Sequence, residues 1–311
     1  MNKPTMQGAK AAPANIELPT IHDAASEASN SGQTRYLLLS GTRLISLLVA
    51  TLAGAFSVAI GSFDASGLVL LLAFGVAALT EFSLIKFQPE RDWYAGRAVA
   101  ESTKTLAWRY AVQGEPFGPN LTAEEAEDLL RTRVNEVLER GKDRISVPSG
   151  GTLITPSMTS LRTQELAFRR DSYLTNRTED QRGWYFKNAA KNEKKATAWR
   201  YALLAAELVA VIAATLAFGR DEPADFAGTV AAFVAGGAAW LAIKQHSQLT
   251  SAYRVAAAEL AVQADVLRDV DEEGWPQAVA DAEEAISREH TMWLATRGEE
   301  PLPPIRGKEK S

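Results

Sequence analysis

The sequence predicts an all-α membrane protein, with four transmembrane helices arranged as two hairpins and long cytoplasmic helical extensions that form a bundle. The spans are expected at about 44–63, 66–85, 201–219 and 225–244. The stretches 44–63 and 226–243 hold no charged residue, and a membrane helix needs about 20 mostly apolar residues. The other two spans reach that length only by including Glu81 and Glu207. The alternative is a set of buried core helices, but two hairpins of matched length are hard to fit into one soluble core.

The distribution of Lys and Arg predicts the orientation of the chain. Apart from Arg220, every Lys and Arg lies outside the two hairpins. The inner mouths of the four spans carry one basic residue each: Arg43, Lys86, Arg200 and Lys244. Because cytoplasmic loops of membrane proteins are enriched in Lys and Arg, we expect both termini and the segment 86–200 to be cytoplasmic, in a multi-pass protein of the cytoplasmic membrane.

The composition argues against several functional classes. The chain has 311 residues, a net charge of −5 and no cysteine, so thiolate metal sites and disulfides are excluded and nucleic-acid binding is not expected. The histidines His22, His246 and His290 show no ligand spacing. The glycine-rich and histidine motifs of phosphate-binding, dinucleotide-binding and zinc-protease sites are missing. We therefore expect no catalytic residue, no metal, no cofactor and no enzymatic activity.

The first module is expected at 35–145. Residues 1–34 are rich in Ala, Ser, Asn, Thr and Pro without apolar periodicity, which predicts a disordered tail. After the first hairpin, Pro89 marks a kink or a fresh helix start, and a helix is expected over 90–113. Thr122 and Glu125 have the spacing of a capping box, which predicts a charged helix to Arg140. The apolar stripe of that helix is Leu129, Leu130, Val134 and Val137.

A Gly/Ser/Pro/Thr-rich linker is expected at 146–160, a second module at 161–297 and a disordered tail at 298–311. The second module should begin with a helix at about 161–175. Thr178 and Gln181 then form a second capping box that opens a helix reaching 219. No Gly or Pro occurs from 238 to 273, so the fourth span should continue as one helix. One face of that helix holds Leu249, Tyr253, Ala257, Leu260, Ala264 and Leu267. A final amphipathic helix should turn Val279, Ala282, Ile286, His290 and Trp293 inward.

An aromatic motif occurs twice. Trp93-Tyr94 is followed after 13 residues by Trp108-Arg109-Tyr110, and the pattern recurs as Trp184-Tyr185 with Trp199-Arg200-Tyr201. A weaker match, Arg97 to Glu101 against Arg254 to Glu259, follows each hairpin and indicates two related two-span units. Trp199 fits the membrane–water interface, which favours Trp and Tyr. Trp93 and Trp184 lie too far from the spans, so we expect them in the cytoplasmic core or a subunit interface; ligand stacking is the alternative. The candidate packing or interface residues are Trp93, Tyr94, Trp108, Tyr110, Trp184, Tyr185, Trp199, Gly228, Ala232 and Gly236.

Two sets of residues within the spans bear on function, a pair of glutamates and a row of small residues. Glu81 and Glu207 lie roughly 7–10 Å inside the cytoplasmic mouth, from the helix rise, and in an oligomer they could form acidic rings that attract cations. Structural ion pairing or snorkelling is the alternative. Gly228, Ala232 and Gly236 have four-residue spacing, which favours close helix packing in lipid, within one subunit or between subunits.

Several sequence features resemble one bacterial family. The second half contains Arg-Asp-Ser-Tyr-Leu at 170–174, Gln181 with Trp184-Tyr185, Ala189, Ala190 and Asn192; the first contains Pro89-Glu-Arg-Asp-Trp-Tyr, Ala100-Glu101-Ser102 and Ala107-Trp-Arg-Tyr. With the two hairpins, these features resemble the SLATT family, the SMODS- and SLOG-associating two-transmembrane effector domains, over about 36–297. The resemblance implies a pore-forming or membrane-disrupting effector in nucleotide-signalled defence against phage. A sensing domain often accompanies such modules, and because none is visible here, the sensor would be a separate chain.

We therefore expect an oligomeric, ion-permeable pore as the function. The alternative is a non-conducting membrane scaffold whose cytoplasmic hairpin docks a partner. The expected partners are the lipid bilayer, further copies of the chain and a separate nucleotide-sensing or signalling protein, with no nucleic acid.

Overall fold

The computed structural model describes residues 12–56, 58–145, 150–217 and 226–295, and most of these residues are helical. The α-helices are α1 (Thr20–Ala55), α2 (Ala65–Phe87), α3 (Pro89–Ala111), α4 (Ala123–Gly141), α5 (Pro156–Arg162), α6 (Leu166–Tyr173), α7 (Asp180–Ala217), α8 (Phe226–Lys244), α9 (His246–Asp269) and α10 (Trp275–Ala295). A π-helical turn, Leu174–Glu179, joins α6 to α7. Two short strands, β1 (Ala59–Ile60) and β2 (Phe63–Asp64), pair in an antiparallel turn between α1 and α2.

α1 begins well before the membrane, so the predicted disordered tail at 1–34 is wrong for residues 20–34; residues 1–11 lie outside the described part. This half of α1 packs on α3 at very short range. A Cβ added to Gly32 would lie 2.5 Å from the backbone nitrogen of Trp93, and one added to Gly96 would lie 2.6 Å from that of Ser29. Small residues allow two helix backbones to approach this closely. The Ala, Ser and Gly content that suggested disorder therefore forms a helix contact.

Residues 12–19 have no regular secondary structure but are attached to α5 and α6. The Ala14 amide donates to Ser172 Oγ at 3.0 Å, and the Glu17 amide donates to Ser157 Oγ at 2.8 Å. Ile16 is buried in the same region. The predicted disorder is thus wrong for this segment too, because its backbone groups have partners elsewhere in the fold.

The largest buried cluster, here called the helical core, is formed mainly by α3, α4, α5, α6 and α10. α4 has the predicted capping box: Thr122 Oγ1 accepts from the Glu125 amide at 3.2 Å, and Glu125 Oε2 accepts from the Thr122 amide at 2.8 Å. Leu130, Val134 and Val137 of the predicted stripe are buried in this core. The capping box and the buried stripe are confirmed.

The expected linker at 146–160 contains the start of a helix. α5 begins at Pro156 with Thr155 as its cap, and Met158 and Leu161 are buried in the helical core. The helix expected at 161–175 is interrupted, because α5 ends at Arg162 and α6 begins at Leu166.

From Leu166 the chain stays helical through the π-helical turn into α7. The second capping box is therefore wrong: Thr178 lies buried inside the π-helical turn and caps nothing. Sequence spacing identifies a cap only where a helix starts, and no helix starts there.

The second module forms a long antiparallel hairpin in which α9 packs along the N-terminal half of α7 and α10 packs on α9. The predicted inner face of α9 is confirmed, since Tyr253, Leu260, Ala264 and Leu267 are buried. The prediction of a single helix across 238–273 is wrong, because Gln245 has a left-handed backbone conformation, φ 49°, and separates α8 from α9. In α10, Val279, Ala282 and Ile286 are buried as predicted; the side chains of His290 and Trp293 lie outside the described part.

The apolar helices expose most of their surface. Within the described residues, the stretches Thr20–Ala55, Ala65–Ala111 and Leu166–Leu216 are long and apolar enough to cross a membrane, and only 17%, 17% and 0% of their apolar windows are buried. Such exposure disfavours the alternative of buried core helices. The main contacts place α1 between α2 and α8, and α8 next to α7. The predicted fourth span coincides with α8 and stays a prediction.

Candidate functional site at the membrane helices and the helical core

Glu81 on α2 forms an ion pair across the first hairpin. Its Oε2 lies 2.9 Å from Arg43 NH1 on α1, and the two side chains are 40% and 44% exposed. Arg43 is the basic residue at the mouth of the first span. This geometry is the structural ion pair that the sequence offered as the alternative to a pore lining. Both side chains nevertheless remain partly exposed.

Glu207 is placed differently. Its side chain is exposed on α7, and the described part of the chain offers it no ion-pair partner. Leu204, Leu208 and Val211 beside it are also at least half exposed, at 50%, 56% and 62%. An acidic group therefore lies on an otherwise apolar outer surface.

A cleft of about 670 Å³ lies where the middle of α1 and the C-terminal ends of α2 and α8 meet the start of α3. One side is apolar, with Leu44, Leu84 and Ile243. The charged residues that line it are Arg43, Glu81, Glu90 and Arg91. The Arg43–Glu81 pair thus faces an open, partly polar space at the end of the membrane helices.

Trp93 and Tyr94 are buried at the start of α3. The Trp93 ring lies 6.2 Å from the Tyr36 ring of α1 and 5.1 Å from that of Tyr94. Leu249 of α9 also packs on this group. These two aromatic residues therefore join the first module to the second.

The second aromatic pair has a different environment. Tyr185 is buried and donates its hydroxyl to the Ile286 carbonyl at 3.3 Å, whereas Trp184 is 44% exposed. Both rings contact the Tyr253 ring of α9. The centroid distance is 5.6 Å for Tyr185, whose ring is tilted, and 5.2 Å for Trp184, which meets Tyr253 edge-on. Core filling is thus seen for Tyr185, while Trp184 keeps a large exposed surface.

The later aromatic residues of the two motif copies also differ. Trp108 and Tyr110 are fully buried in the helical core, where Trp108 contacts Tyr173 edge-on at 5.8 Å. Trp199 of α7 packs against α8, since a Cβ added to Gly237 would lie 3.7 Å from the Trp199 ring. The repeated motif therefore fills a buried core in its first copy and forms a contact between α7 and α8 in its second copy.

Small residues of α8 form contacts within the chain. A Cβ on Gly236 would lie 3.4 Å from Leu48 of α1, and one on Gly41 of α1 would lie 3.5 Å from Trp240. Gly228 and Ala232 are partly buried on the same helix. Gly236 thus supports the packing of α1 on α8, between the two hairpins.

The strongest polar feature, which sequence reasoning missed, is a buried ion pair in the helical core. Arg177 of the π-helical turn donates to both oxygens of Glu283 on α10, at 2.9 and 2.7 Å. Tyr173 and Thr105 donate to the same carboxylate at 3.0 and 2.9 Å. Burial alone would raise the pKa of Glu283, but the charge and hydrogen bonds of Arg177, together with Arg109 and Thr105, lower it. Four elements therefore meet at one carboxylate.

Arginine side chains also cap the C-terminal end of α3. Arg162 NH1 donates to the carbonyls of Tyr110 and Phe117 at 2.9 and 2.8 Å, and Arg169 NH1 donates to that of Val112 at 2.8 Å. Trp275 Nε1 donates to the Val112 carbonyl at 2.7 Å. These donors satisfy carbonyls that a helix end leaves without partners, and they attach α5, α6 and α10 to α3.

His246 lies buried at the first position of α9, directly after the break at Gln245. Its Nδ1 is 2.7 Å from Asn192 Oδ1 on α7. Burial, and then the charges of Lys195 and Lys244, lower the pKa of His246. This histidine therefore belongs to the helix junction at the second hairpin.

The described residues contain no group of three His, Asp or Glu side chains placed to hold a metal ion. Their notable chemistry is electrostatic: an ion pair at the mouth of the first hairpin, an acidic residue exposed on α7 and a buried pair in the core. No assembled nucleophile and base emerge among them.

Exposed apolar helices on a helical core define the class: this is an α-helical membrane protein. Residues 19–170 match the family model of SMODS and SLOG-associating 2TM effector domain 3, and residues 173–293 match that of domain 1. The chain therefore belongs to the SLATT family and carries two such domains in tandem, as a membrane effector. The first match ends at 170, within α6, later than the linker expected at 146–160. No curated protein and no solved structure matches the chain.

Proposed function

We propose that this chain assembles with further copies of itself into an ion-permeable pore of the bacterial inner membrane. The observation that carries the proposal is Glu207, exposed on the membrane half of α7 with no ion-pair partner in the described residues. An ionisable side chain within a span is costly unless it faces water or a partner. A neighbouring copy or an aqueous lumen would supply that environment, and a ring of carboxylates would favour cations.

The proposal takes α8 as the fourth span, with the helical core and both termini on the inner side. The basic residues at the helix ends support this orientation. A separate nucleotide-sensing protein would supply the trigger in antiphage defence.

A non-conducting scaffold is the second candidate. Phe186 and Trp184, on the cytoplasmic half of α7, are 74% and 44% exposed, and exposed aromatic residues are enriched at protein interfaces. In a scaffold these residues would contact the partner, and neutral residues at positions 81 and 207 would be tolerated.

The test is ion flux from liposomes that contain the purified protein, measured across a range of voltages, with and without extract of infected cells. Glu207→Gln should lower the preference for cations and reduce the flux. Glu124→Gln, which removes one exposed acidic group from α4, is the matched control and should change neither. Glu81→Gln leaves Arg43 unpaired beside the cleft and should also reduce cation flux.

One result would contradict the pore itself, and another would contradict only its acidic lining. Wild-type liposomes that stay sealed under every condition would favour the scaffold. Flux that is identical in wild type, Glu207→Gln and Glu81→Gln would remove the acidic lining from the proposal.

A further inference from the structure

The outward face of α9 is apolar although it lies outside the membrane. Val255, Val262 and Val266 are 49%, 63% and 47% exposed, and Ala258 between them is also exposed. These four residues, here called the α9 stripe, recur every three or four positions. Tyr253, Ala256, Leu260 and Ala264 on the other side are buried. α9 thus has two apolar faces, and the rest of the chain covers one of them.

Lipid does not cover the α9 stripe. α9 runs away from the membrane along α7, as its contacts demonstrate: His246 meets Asn192, Tyr253 meets Tyr185 and Arg268 meets Glu179. Val262 lies sixteen residues beyond His246, which is about 24 Å along a helix. Only about 5–8 Å of interfacial region lies beyond the hydrocarbon core on each side of a bilayer. The stripe therefore needs a protein partner.

The spacing and the flanking charges fit a second copy of the same helix. If Val255 and Val262 are the a positions of a heptad, Ala258 is at d, and Arg254 and Glu259 are at the flanking g and e positions. In parallel helices a g residue faces the following e residue of the neighbour. Arg254 of one copy would then face Glu259 of the next, a pair of opposite charges.

Membrane insertion provides the register. Copies in the same membrane are parallel and at the same depth, so each α9 stripe meets an identical stripe at the same height. On α8, Ala231, Ala235 and Ala238 are exposed with the same spacing, and small residues allow close helix approach in lipid. The membrane portion of the second module thus permits the same association.

We infer that the α9 stripe is the contact through which copies of this chain associate, parallel and in register. The inference deepens the proposed function by naming its assembly surface, and rests on it only for the expectation that copies assemble. It does not require that the assembly conducts ions.

Disulfide cross-linking tests the inference directly, because the natural chain contains no cysteine. Val262→Cys, oxidised in native membranes, should form a covalent dimer roughly tenfold faster or more than a non-contact position, since association raises the effective thiol concentration. Asn135→Cys, exposed on α4, is the matched control. Cross-linking of the Val262→Cys chain at the rate of the Asn135→Cys chain would overturn the inference.

A charge exchange provides the second measurement. In the Val262→Cys background, Arg254→Glu and Glu259→Arg should each reduce cross-linking, and the two together should restore it. Glu193→Gln, which removes the intrachain partner of Arg254 at 2.7 Å, should leave cross-linking unchanged. Failure of the double exchange to restore it, in chains with wild-type melting temperatures, would contradict the parallel register.

Cross-linking and flux separate the two proposals. Efficient Val262→Cys cross-linking in membranes that do not conduct would support the assembly and contradict the pore. Flux without cross-linking would retain the pore and remove the stripe.

Discussion

Gln88 and Gln245 have the same left-handed backbone conformation at equivalent places in the two modules. Their φ angles are 47° and 49°, and each residue separates an apolar helix, α2 or α8, from an amphipathic helix, α3 or α9. Arg97 and Arg254 each follow nine residues later, so the weak sequence match coincides with a shared backbone geometry. The structure thus supports two related units more directly than the sequence did.

The two glutamines differ in their side chains, which gives a first prediction. Gln88 Oε1 accepts from Arg144 at 2.6 Å, whereas Gln245 Oε1 is buried without a partner in the described part. Glycine adopts a positive φ without steric cost, and a buried polar atom without a partner costs free energy. Gln245→Gly should therefore stabilise the fold by about 1 kcal/mol, measured as the melting temperature in detergent.

Gln88→Gly is the matched comparison. It relieves the same backbone strain but loses the Arg144 hydrogen bond, so it should gain less than Gln245→Gly or lose stability. Gln245→Val should lower the melting temperature, because a β-branched residue is disfavoured at positive φ. Equal gains at both positions would contradict a role for the Arg144 contact.

The Arg177–Glu283 pair predicts a large loss of stability on neutralisation. Glu283→Gln leaves a fully buried guanidinium without its counter-charge, and breaking a buried pair costs about 3–5 kcal/mol. Glu193→Gln breaks the exposed pair with Arg254 and should cost at most about 1 kcal/mol. Unfolding followed by circular dichroism in denaturant measures both. A loss for Glu283→Gln no larger than that for Glu193→Gln would sink this prediction.

The same pair predicts how stability depends on acid. The pKa of Glu283 is lower in the folded chain than its ordinary value of 4.5, so its contribution is fully present above that value. As pH falls through the lowered folded pKa, the carboxylate is protonated in both states and the contribution is lost. Melting temperatures from pH 5 downward, compared between wild type and Glu283→Gln, should show this component in wild type alone.

His246 predicts a second pH dependence, closer to neutrality. Because its folded pKa lies below the ordinary 6.5, the folded chain binds fewer protons than the unfolded chain. Stability is therefore full above pH 6.5 and decreases as pH falls from there toward the folded pKa. His246→Gln should remove this decrease in the melting temperature between pH 7.5 and about pH 5.

His22→Gln, in the first turn of α1, is the control for the loss of one histidine and should keep the decrease. A profile that is unchanged in His246→Gln would show that another group titrates in this range.

Two glycine substitutions should have opposite effects on stability, one at the contact between α1 and α3 and one on the open side of α7. A Cβ on Gly96 would meet backbone atoms of Ala25 and Ser29 at 2.6–2.9 Å, and backbone cannot give way cheaply. Gly96→Ala should therefore cost roughly 1–3 kcal/mol. Gly183→Ala in α7 meets nothing within 4 Å and should gain roughly 0.5–1 kcal/mol from helix propensity. Thermal unfolding of both variants checks the signs.

Local and periodic patterns allowed much of this fold to be predicted from the sequence. The α4 cap depends on residues three positions apart, and the inner face of α9 depends on spacings of three and four. Such relationships are visible in a single chain. The apolar runs likewise identified the long helices, since the length needed to cross a bilayer is fixed by its thickness.

The missed features depend on contacts between distant residues or on backbone geometry. Arg177 and Glu283 are 106 residues apart, and no spacing rule connects them. The break at Gln245 occurs without Gly or Pro, so no breaker residue marked it. Ala25, Ser29 and Gly32 have the composition of a disordered tail, and only the opposing surface of α3 makes them a helix contact.

The uninterrupted course of α1 and α7 has a mechanical consequence. Each module combines one continuous helix, α1 or α7, with two helices that meet at a bend, at Gln88 or Gln245. A displacement of one end of α1 or α7 would tilt the whole helix, because no break lies along its length. The bends at the two glutamines would take up the same displacement locally, so α1 and α7 are the helices through which a movement of the helical core would reach the apolar layer.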